Sequence, residues 1–304
     1  MASVTDSRRP PDALAVAAMV VLSALWGLQQ VAIKLAVPGV SLVTQSALRS
    51  GIAAVLVLVW SAWRRIPLWE RDGTLVPGLI AGALFGGEFA LIYAGLAVTT
   101  ASRMVVFIYL APVLTALGLS RFVPGERLTG AQWAGVILAF GGIVVAFADG
   151  LVGGHATLAG DLCGVIAAFG WAATTVLIRA TKLTRASAPK VLFYQLAVSA
   201  PLLALVAVAI AEPGVVALTP QTLASLAFQS AVVAFASYLV WFWLLTIYLG
   251  GRLTVFSFLT PLFGVAFGHL ILGERVTPQF AAAALLVGAG IALVNAGRAR
   301  AAQT

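Results

Sequence analysis

The chain has 304 residues, of which 62% are hydrophobic and only 9% charged, and its formal net charge is +8. Soluble domains carry about 25% charged residues, so this chain lacks the polar side chains that a water-facing surface needs. A β-barrel would show short segments of alternating polarity, whereas this sequence has continuous apolar runs of roughly 20 residues, long enough to cross a bilayer as helices. These features exclude a soluble globule and a barrel, and they predict an all-α polytopic membrane protein surrounded by lipid.

The basic net charge does not indicate a nucleic-acid partner, because the Lys and Arg residues are spread over short loops instead of one face. The single cysteine, Cys163, excludes an internal disulfide. His155 and His269 are isolated from other metal-ligating residues, and no phosphate-binding glycine motif is present. We therefore expect neither a metal nor a cofactor.

Proline, glycine and charged residues divide the chain into ten predicted membrane spans. The first begins at residue 13 and is longer than the roughly 7–15 residues of a signal-peptide core, so we interpret it as a spanning helix. The predicted spans are 13–37, 41–63, 74–98, 100–121, 130–148, 158–180, 188–211, 219–248, 252–272 and 277–297.

Two of these spans begin with recognisable capping signals. Thr129 and Gln132 have the spacing of a capping box at the start of the fifth span. Thr277 precedes Pro278 at the start of the tenth, which places a capping hydroxyl before a proline at the first helical position.

The distribution of Lys and Arg predicts the orientation of the chain. If both termini lie on one side, 14 of the 18 basic residues fall on that side. Only Arg103 and Arg275 fall on the other side, and Lys34 and Arg49 lie within spans. This asymmetry predicts cytoplasmic N- and C-termini and disfavours dual topology.

The second half of the chain repeats three groups of residues from the first half, in the same order. Trp26, Gln29, Gln30, Ile33 and Lys34 return as Trp171, Thr174, Thr175, Ile178 and Arg179. Arg103, Phe107 and Pro112 return as Arg252, Phe256 and Pro261, and the sequence Gly-Glu-Arg-Leu-Thr at 125–129 returns as Gly-Glu-Arg-Val-Thr at 273–277.

This repetition divides the chain into two five-span halves, 13–148 and 158–297, with tails at 1–12 and 298–304. Because five is odd, the second half enters the membrane from the opposite side, which makes an inverted repeat. Inverted repeats are typical of alternating-access transporters, whose substrate site lies near the membrane midplane between the halves. The alternative is a duplicated membrane protein without transport activity.

These motifs together resemble those of the EamA family of the drug/metabolite transporter superfamily, over nearly the whole chain. Within that family, the segment Tyr109-Leu110-Ala111-Pro112 is similar to one in the YddG-type amino-acid exporters. The resemblance implies ten helices in a bacterial inner membrane and export of a small-molecule substrate. It also implies a central cavity lined by the first, third, fourth, sixth, eighth and ninth spans.

Helical spacing separates a packing face from a polar face in the third span. Gly78, Gly82 and Gly86 recur every four residues, and such a stripe lets a neighbouring helix approach closely. Glu88 lies about 200° around the helix from Gly86, on the same face as Phe85. We therefore expect the third span to pack through glycine and to present Glu88 on its other side.

An ionised carboxylate in contact with lipid costs roughly 2.5–3.5 kcal/mol, so we expect Glu88 to face a water-accessible cavity. There it would bind a substrate amine or take up a proton during transport. The alternatives are a structural carboxylate paired with Lys34 or Arg49, and a carboxyl group that remains protonated.

Similar faces occur in the first, sixth and eighth spans, where residues three or four apart share one side. These faces either line the cavity or form hydrogen bonds between helices, whereas Trp243 points elsewhere. The residues expected to line the substrate cavity are Trp26, Gln29, Gln30, Phe85, Glu88, Tyr109, Trp171, Thr174, Thr175, Tyr238 and Trp241.

Pro112 and Pro261 occupy equivalent positions in the middle of the fourth and ninth spans. Each removes one hydrogen bond of its helix and kinks it. The two prolines are therefore candidates for symmetric hinges, or for fixed kinks without motion.

The sequence favours an exporter of small metabolites, above all amino acids, working by alternating access. One alternative is a drug or other metabolite exporter of the same fold, although phosphate-bearing substrates would require more cavity cations than Lys34 and Arg49. Another is an intramembrane protein without transport activity, but an enzyme would need a nucleophile–base pair or a second carboxylate near Glu88. The exact substrate, the coupling ion and the oligomeric state, a monomer included, stay open.

Overall fold

The computed structural model describes residues 11–122, 128–153, 158–248 and 253–301. Most of the predicted N-terminal tail lies outside the described residues, as do His155, Arg252 and the Gly-Glu-Arg part of the first repeated motif. Side chains beyond Asn295 are likewise outside the description.

The described residues form helices that follow the ten predicted spans, which confirms the all-α polytopic fold. Nine helical segments are long and apolar enough to cross a membrane, and a tenth, Phe256–Leu272, is shorter. The α-helices are α1 (Ala13–Ala36), α2 (Leu42–Trp63), α3 (Leu75–Leu96), α4 (Ala101–Ile108), α5 (Ala111–Phe122), α6 (Gly130–Gly153), α7 (Leu158–Ala180), α8 (Ala188–Ala209), α9 (Pro220–Ala227), α10 (Tyr238–Ile247), α11 (Leu259–Leu272) and α12 (Pro278–Ala301). Short 3₁₀ helices cover Lys182–Arg185 and Thr254–Phe258.

Both predicted capping signals are confirmed. The Thr129 amide donates to Gln132 Oε1 at 2.9 Å, and the Gln132 amide lies 3.4 Å from the Thr129 hydroxyl. At the start of α12, the Phe280 amide donates to the Thr277 hydroxyl at 3.0 Å.

The fourth span is divided into α4 and α5 directly before Pro112. A proline has no N–H group, so the carbonyl of Ile108 has no donor at the position four residues later. The chain compensates with a tighter turn in which the Leu110 amide donates to the Phe107 carbonyl at 3.2 Å. The kink expected at Pro112 is thus a break at Tyr109 and Leu110.

The eighth span differs from the single helix predicted over 219–248. A π-helical segment, Phe228–Ser237, separates α9 from α10. Such wider turns are rare and occur frequently at functional sites, and nothing in the local sequence predicts one. Within this segment, the side chains of Gln229 and Ser237 both accept hydrogen bonds from other helices.

The two five-span halves are interlocked rather than side by side. Helix α6 of the first half packs on α12 of the second, α1 packs on α11, α2 packs on α8, and α3 packs on both α7 and α8. Each of these contacts joins the halves, so the core of the molecule is the interface between the repeats.

Ten spans bring the start of α1 and the end of α12 to the same side, here named the terminal face. Its position is marked by the Tyr248 hydroxyl, which donates to Asp12 at 2.9 Å. The opposite side is named the distal face, and there Val40 and Val215 form an isolated β-bridge.

The glycine stripe of α3 packs as its spacing predicts. A Cβ atom at Gly78 would lie 2.6 Å from the Tyr194 ring, and one at Gly82 would lie 2.5 Å from Val198 Cβ and 2.6 Å from the Tyr194 carbonyl oxygen. Both neighbours belong to α8, so the stripe fixes the distance between α3 and α8.

Replacing Gly82 by alanine should lower the melting temperature of the detergent-solubilised protein, because the new methyl group meets a backbone carbonyl that cannot move alone. Overpacking of this kind costs about 1–3 kcal/mol. Gly87→Ala is the matched control, since a Cβ atom there has no neighbour within 4 Å. Thermal unfolding of both variants tests the contact, and equal melting temperatures would contradict it.

Candidate functional site

A cavity of about 500 Å³ lies between the two halves. Its volume is within the roughly 300–1,000 Å³ typical of small-molecule sites. The first, third, fourth, sixth, eighth and ninth spans contribute to its wall, as the family resemblance implied. The seventh and tenth spans contribute as well, through Val191, Gln195 and Asn295.

The structure brings every residue predicted for the substrate cavity onto this one wall. They are Trp26, Gln29, Gln30, Phe85, Glu88, Tyr109, Trp171, Thr174, Thr175, Tyr238 and Trp241. Their contact with a substrate stays a prediction.

Aromatic rings from the first and eighth spans form one side of the cavity. The Trp26 ring lies 6.5 Å from that of Tyr238 and 6.2 Å from that of Trp241, between ring centroids. The Trp26 indole also donates to the Ser237 hydroxyl at 2.9 Å. This face of the first span therefore lines the cavity and joins two helices at once, while Trp243 is 49% exposed on the outside of the bundle.

The polar residues of the sixth span satisfy their hydroxyl groups locally. Thr174 donates to the Gly170 carbonyl at 2.9 Å, and Thr175 donates to the Trp171 carbonyl at 3.0 Å. Each bond lies within α7, so these hydroxyls do not join helices. The Trp171 ring meets Tyr109 of the fourth span edge-on, at 5.4 Å between centroids.

Glu88 is the only residue with a formally charged side chain among the described residues that line the cavity. It is 6% exposed. A Cβ atom at Gly170 would lie 3.3 Å from the Glu88 Cβ, so α3 and α7 are in close contact beside the carboxylate. Within the described part of the chain, no ion pair or hydrogen bond engages this carboxylate. The arrangement favours a ligand that carries a positive charge.

Arg49 does not neutralise Glu88 by direct contact, contrary to one expectation from the sequence. It is fully buried and forms no ion pair with any described residue. Its guanidinium lies 4.1 Å from the centroid of the Phe89 ring, and Phe89 itself lines the cavity. The ring therefore stands between the guanidinium and the cavity.

The cavity reaches the terminal face but not the distal one. Toward the terminal face, its wall includes Met19 and the connection between α7 and α8 at Leu183, Thr184 and Ala186. Toward the distal face, its wall extends no further than Gln30, Ile92 and Ile108.

Arg103 closes the bundle near the distal face. Its guanidinium donates to Asp161 of the second half, with 2.6 Å between Nη2 and Oδ2, and to Asp149 of the first half at 3.0 Å. The Asp149 carboxylate also accepts a hydrogen bond from Thr277. The sequence predicts Arg103 on the side opposite the termini, and in the structure it lies near the distal face, where Asp149 and Asp161 hold it inside the protein.

Glu274, from the second copy of the repeated motif, caps the N-terminus of α4. Its carboxylate accepts bonds from the amides of Ala101 and Ser102 at 2.7 and 2.9 Å and from the Ser102 hydroxyl at 2.5 Å. Sequence reasoning noted the motif but missed this role.

A second acidic cap lies at the distal face, where Glu212 holds the N-terminus of α2. It accepts bonds from the amides of Val43 and Thr44, both at 2.8 Å, and from the Ser41 hydroxyl at 2.7 Å. Partial burial alone raises the pKa of Glu212, but these hydrogen bonds outweigh it and hold the pKa below its ordinary value.

The two predicted hinge prolines are not in the middle of unbroken helices. Pro112 lies in the first turn of α5, directly after the break, and lines the cavity. Pro261 is buried in the first turn of α11, after the 3₁₀ helix, and is absent from the cavity wall. Both follow a change of helix type, and their role as hinges stays a prediction.

Comparison with known proteins gives concordant results. The model of the EamA-like transporter family matches residues 13–148 and again 158–296. A "Probable amino-acid metabolite efflux pump" of Escherichia coli (strain K12) is 28% identical over 275 residues, covering 86% of this chain and 89% of that protein. A protein of the same name from Salmonella typhimurium (strain LT2) is 26% identical over 277 residues, covering 88% and 90%.

A solved crystal structure has the same fold. It is 20% identical in sequence, with a TM-score of 0.63, and the match covers 93% of this chain and 98% of that one.

The replacement Arg103→Gln should strongly destabilise the protein, because it leaves buried carboxylates without their cation. Breaking a buried ion pair in this way costs about 3–5 kcal/mol. Adding Asp161→Asn should recover part of the loss, which a double-mutant cycle on thermal unfolding measures. Strictly additive effects of the two replacements would contradict a direct pair.

The lowered pKa of Glu212 predicts a pH dependence of stability. A carboxyl group whose pKa is lower in the folded state stabilises the protein at pH values above its pKa in the unfolded chain, which is about 4.3. This stabilisation is lost as the pH falls through the folded-state pKa. Glu212→Gln should therefore melt at a lower temperature than the wild type at pH 7, with the difference shrinking toward pH 3. A difference that is constant with pH would contradict the assignment.

Proposed function

Because the chain belongs to the EamA-like transporter family, we propose that it exports small metabolites bearing an amine, above all amino acids, by alternating access of its two halves. The observation that carries the proposal is the carboxylate of Glu88, the one formally charged side chain among the described residues that line the cavity between the inverted repeats. Such a carboxylate complements a protonated amine or carries a proton in exchange for it.

The chemistry of the cavity wall supports an amino acid as the substrate. The wall combines aromatic rings with a few amide and hydroxyl groups, which is the usual composition of small-molecule sites. Its lack of described Lys and Arg residues disfavours phosphate-bearing solutes. The relatives in Escherichia coli and Salmonella typhimurium are named as probable amino-acid metabolite efflux pumps, which supports the same substrate class and a bacterial inner membrane.

The direction of export is supported by the two faces. Fourteen of the 18 basic residues lie toward the terminal face by sequence, which supports a cytoplasmic location for that face. The cavity then opens to the cytoplasm, while Arg103 and its carboxylate partners close the other side. In this proposal, substrate loads from the cytoplasm, and separation of the distal contacts releases it outside, with bending at Pro112 and Pro261.

A second candidate is an exporter of cationic drugs within the same fold. The aromatic surfaces of Trp26, Trp171 and Trp241 beside one carboxylate favour it, because aromatic faces attract organic cations. A substrate panel that includes amino acids and lipophilic cations distinguishes the two.

The Glu88→Gln variant should lose at least about tenfold of its transport rate in proteoliposomes loaded with labelled amino acids, an effect of about 1.4 kcal/mol on the barrier. Charge is removed while shape is kept, so packing of α3 on α7 should survive. Glu70→Gln, an exposed glutamate at the terminal face, is the matched control.

Measurement at pH 6 and pH 8 separates the two roles of Glu88. A rate that becomes independent of pH in Glu88→Gln supports proton uptake, and a raised KM at both pH values supports binding of the amine. If Glu88→Gln transported at the wild-type rate at both pH values, Glu88 would have no role in transport. If the wild type transported no amino acid, amino acids would be excluded as the substrate class.

A further inference from the structure

We propose that Arg49, with the hydroxyls of Ser46, Ser50 and Ser230, forms an anion site behind the Phe89 ring that receives the carboxylate of the transported amino acid. The inference rests on the proposed function and extends it, because it adds a second subsite to the one that Glu88 provides for the amine.

The first observation is the state of the Arg49 guanidinium. It is 0% exposed, and none of its three nitrogens has a hydrogen-bond partner within 3.5 Å among the described residues, although the Tyr238 side chain makes a looser polar contact with it. The other deeply buried cations differ from it, since Arg103 bonds to Asp149 and Asp161 and Lys190 bonds to Asp72. An arginine keeps its charge in any protein environment, and a buried charge is stable only with compensation.

The second observation concerns three serine hydroxyls in the same region. Ser46 lies three residues before Arg49 on α2, on the same face, and Ser50 follows Arg49 directly. Ser230 lies on the π-helical segment Phe228–Ser237, which packs against α2.

All three hydroxyls are fully buried and have no hydrogen-bond partner among the described residues. The hydroxyl of a serine or threonine in a helix can donate a hydrogen bond to the carbonyl four residues before it, as those of Thr174 and Thr175 do. These serines do not, so their hydroxyl protons remain available for another acceptor. The guanidinium has only donors, and each of the three hydroxyls can donate one hydrogen bond, so together these groups can complement an anion.

The third observation connects this site to the cavity. Phe89 covers the guanidinium at 4.1 Å and lines the cavity with its other side. Arg49 also interacts electrostatically with Glu88 and Tyr238, which both line the cavity. The side chains of Phe89 and Tyr238 therefore lie next to both the guanidinium and the cavity, and rotation of the Phe89 ring would connect the two spaces.

The arrangement fits a zwitterion better than a simple anion. Glu88 and Phe89 are adjacent in α3, so the carboxylate of the protein and the covered guanidinium flank the same part of the cavity. An amine at Glu88 and a carboxylate at Arg49 would leave the ligand's side chain toward the aromatic wall. The planar guanidinium can bind a carboxylate through two parallel hydrogen bonds, which a spherical ion such as chloride cannot accept.

The experiment compares binding of amino acids with binding of the corresponding amino-acid amides, which keep the amine and lose the carboxylate. Quenching of the cavity tryptophans reports binding to the detergent-solubilised protein, in gluconate and in chloride. We expect the wild type to bind the acid at least tenfold more tightly than the amide. Arg49→Gln should lower the affinity for the amino acid at least tenfold and change the affinity for the amide by less than twofold. Unchanged amide binding would also show that the variant is folded.

Three further variants sharpen the assignment. Arg49→Lys keeps the positive charge but lacks the planar guanidinium, so its preference for the acid over the amide should be intermediate. Ser230→Ala should lower the affinity for the acid severalfold and leave the affinity for the amide unchanged. Arg64→Gln, the same replacement at the exposed end of the same helix, should change neither.

Several results would overturn the inference, and they are distinguishable. If the wild type bound acid and amide equally, or if Arg49→Gln still preferred the acid, Arg49 would not bind the carboxylate of the substrate. The proposed export of amines would not be affected by either result. Competition by chloride with no preference for the acid would assign the site to a free inorganic anion. Binding of neither acid nor amide would contradict the proposed function itself, and this inference with it.

Discussion

In hydrocarbon, a polar side chain is stable only where protein or water satisfies it, and this constraint determines how the two halves of the chain meet. Glu88 faces a cavity, Arg103 is held between two carboxylates, and Arg49 is buried behind an aromatic ring. All three lie where elements of both repeats come together. The lipid-facing surface, in contrast, is made of exposed aliphatic and aromatic residues such as Val144 and Leu205. Polarity is therefore concentrated at the interface between the repeats, where the proposed substrate cavity lies.

The same interface differs at its two ends, which gives the cavity a direction. At the distal face, carboxylates from one half hold groups of the other half. Glu274 caps α4, Glu212 caps α2, and Asp161 pairs with Arg103. These contacts are short and specific, and in the proposed alternating-access cycle they are the contacts that would have to separate for the distal side to open. At the terminal face, the connection between α7 and α8 borders the cavity instead of closing it.

Much of this organisation follows from the sequence because it depends on periodicity. The span bounds follow from apolar length, the capping of α6 and α12 follows from Thr129 and Thr277, and the side of α3 that carries Glu88 follows from the spacing of Gly78 and Gly82. The placement of Trp26 and Trp171 on one wall follows from the internal repeat. Each of these signals is local in the chain or repeated within it.

Other features depend on contacts between residues far apart in sequence, and periodicity does not contain them. The distribution of basic residues predicts the side on which Arg103 lies, but not its ion pairs with Asp149 and Asp161, which join residues far apart in sequence. The π-helical segment at 228–237 follows an apolar pattern indistinguishable from an α-helix. The position of Arg49 against the Phe89 ring, without an ion pair to Glu88, is likewise determined only by the assembled helices.

Access of water to the cavity from one face tests the account most directly. Single cysteines at position 174, in protein with Cys163→Ser, can be treated with a membrane-impermeant thiol reagent from either side of oriented vesicles. The account predicts modification from the side that carries the termini, slowed when an amino acid is added to that side. Modification only from the opposite side, or only by a lipid-soluble reagent, would contradict a cavity enclosed by inverted halves and open to the terminal face.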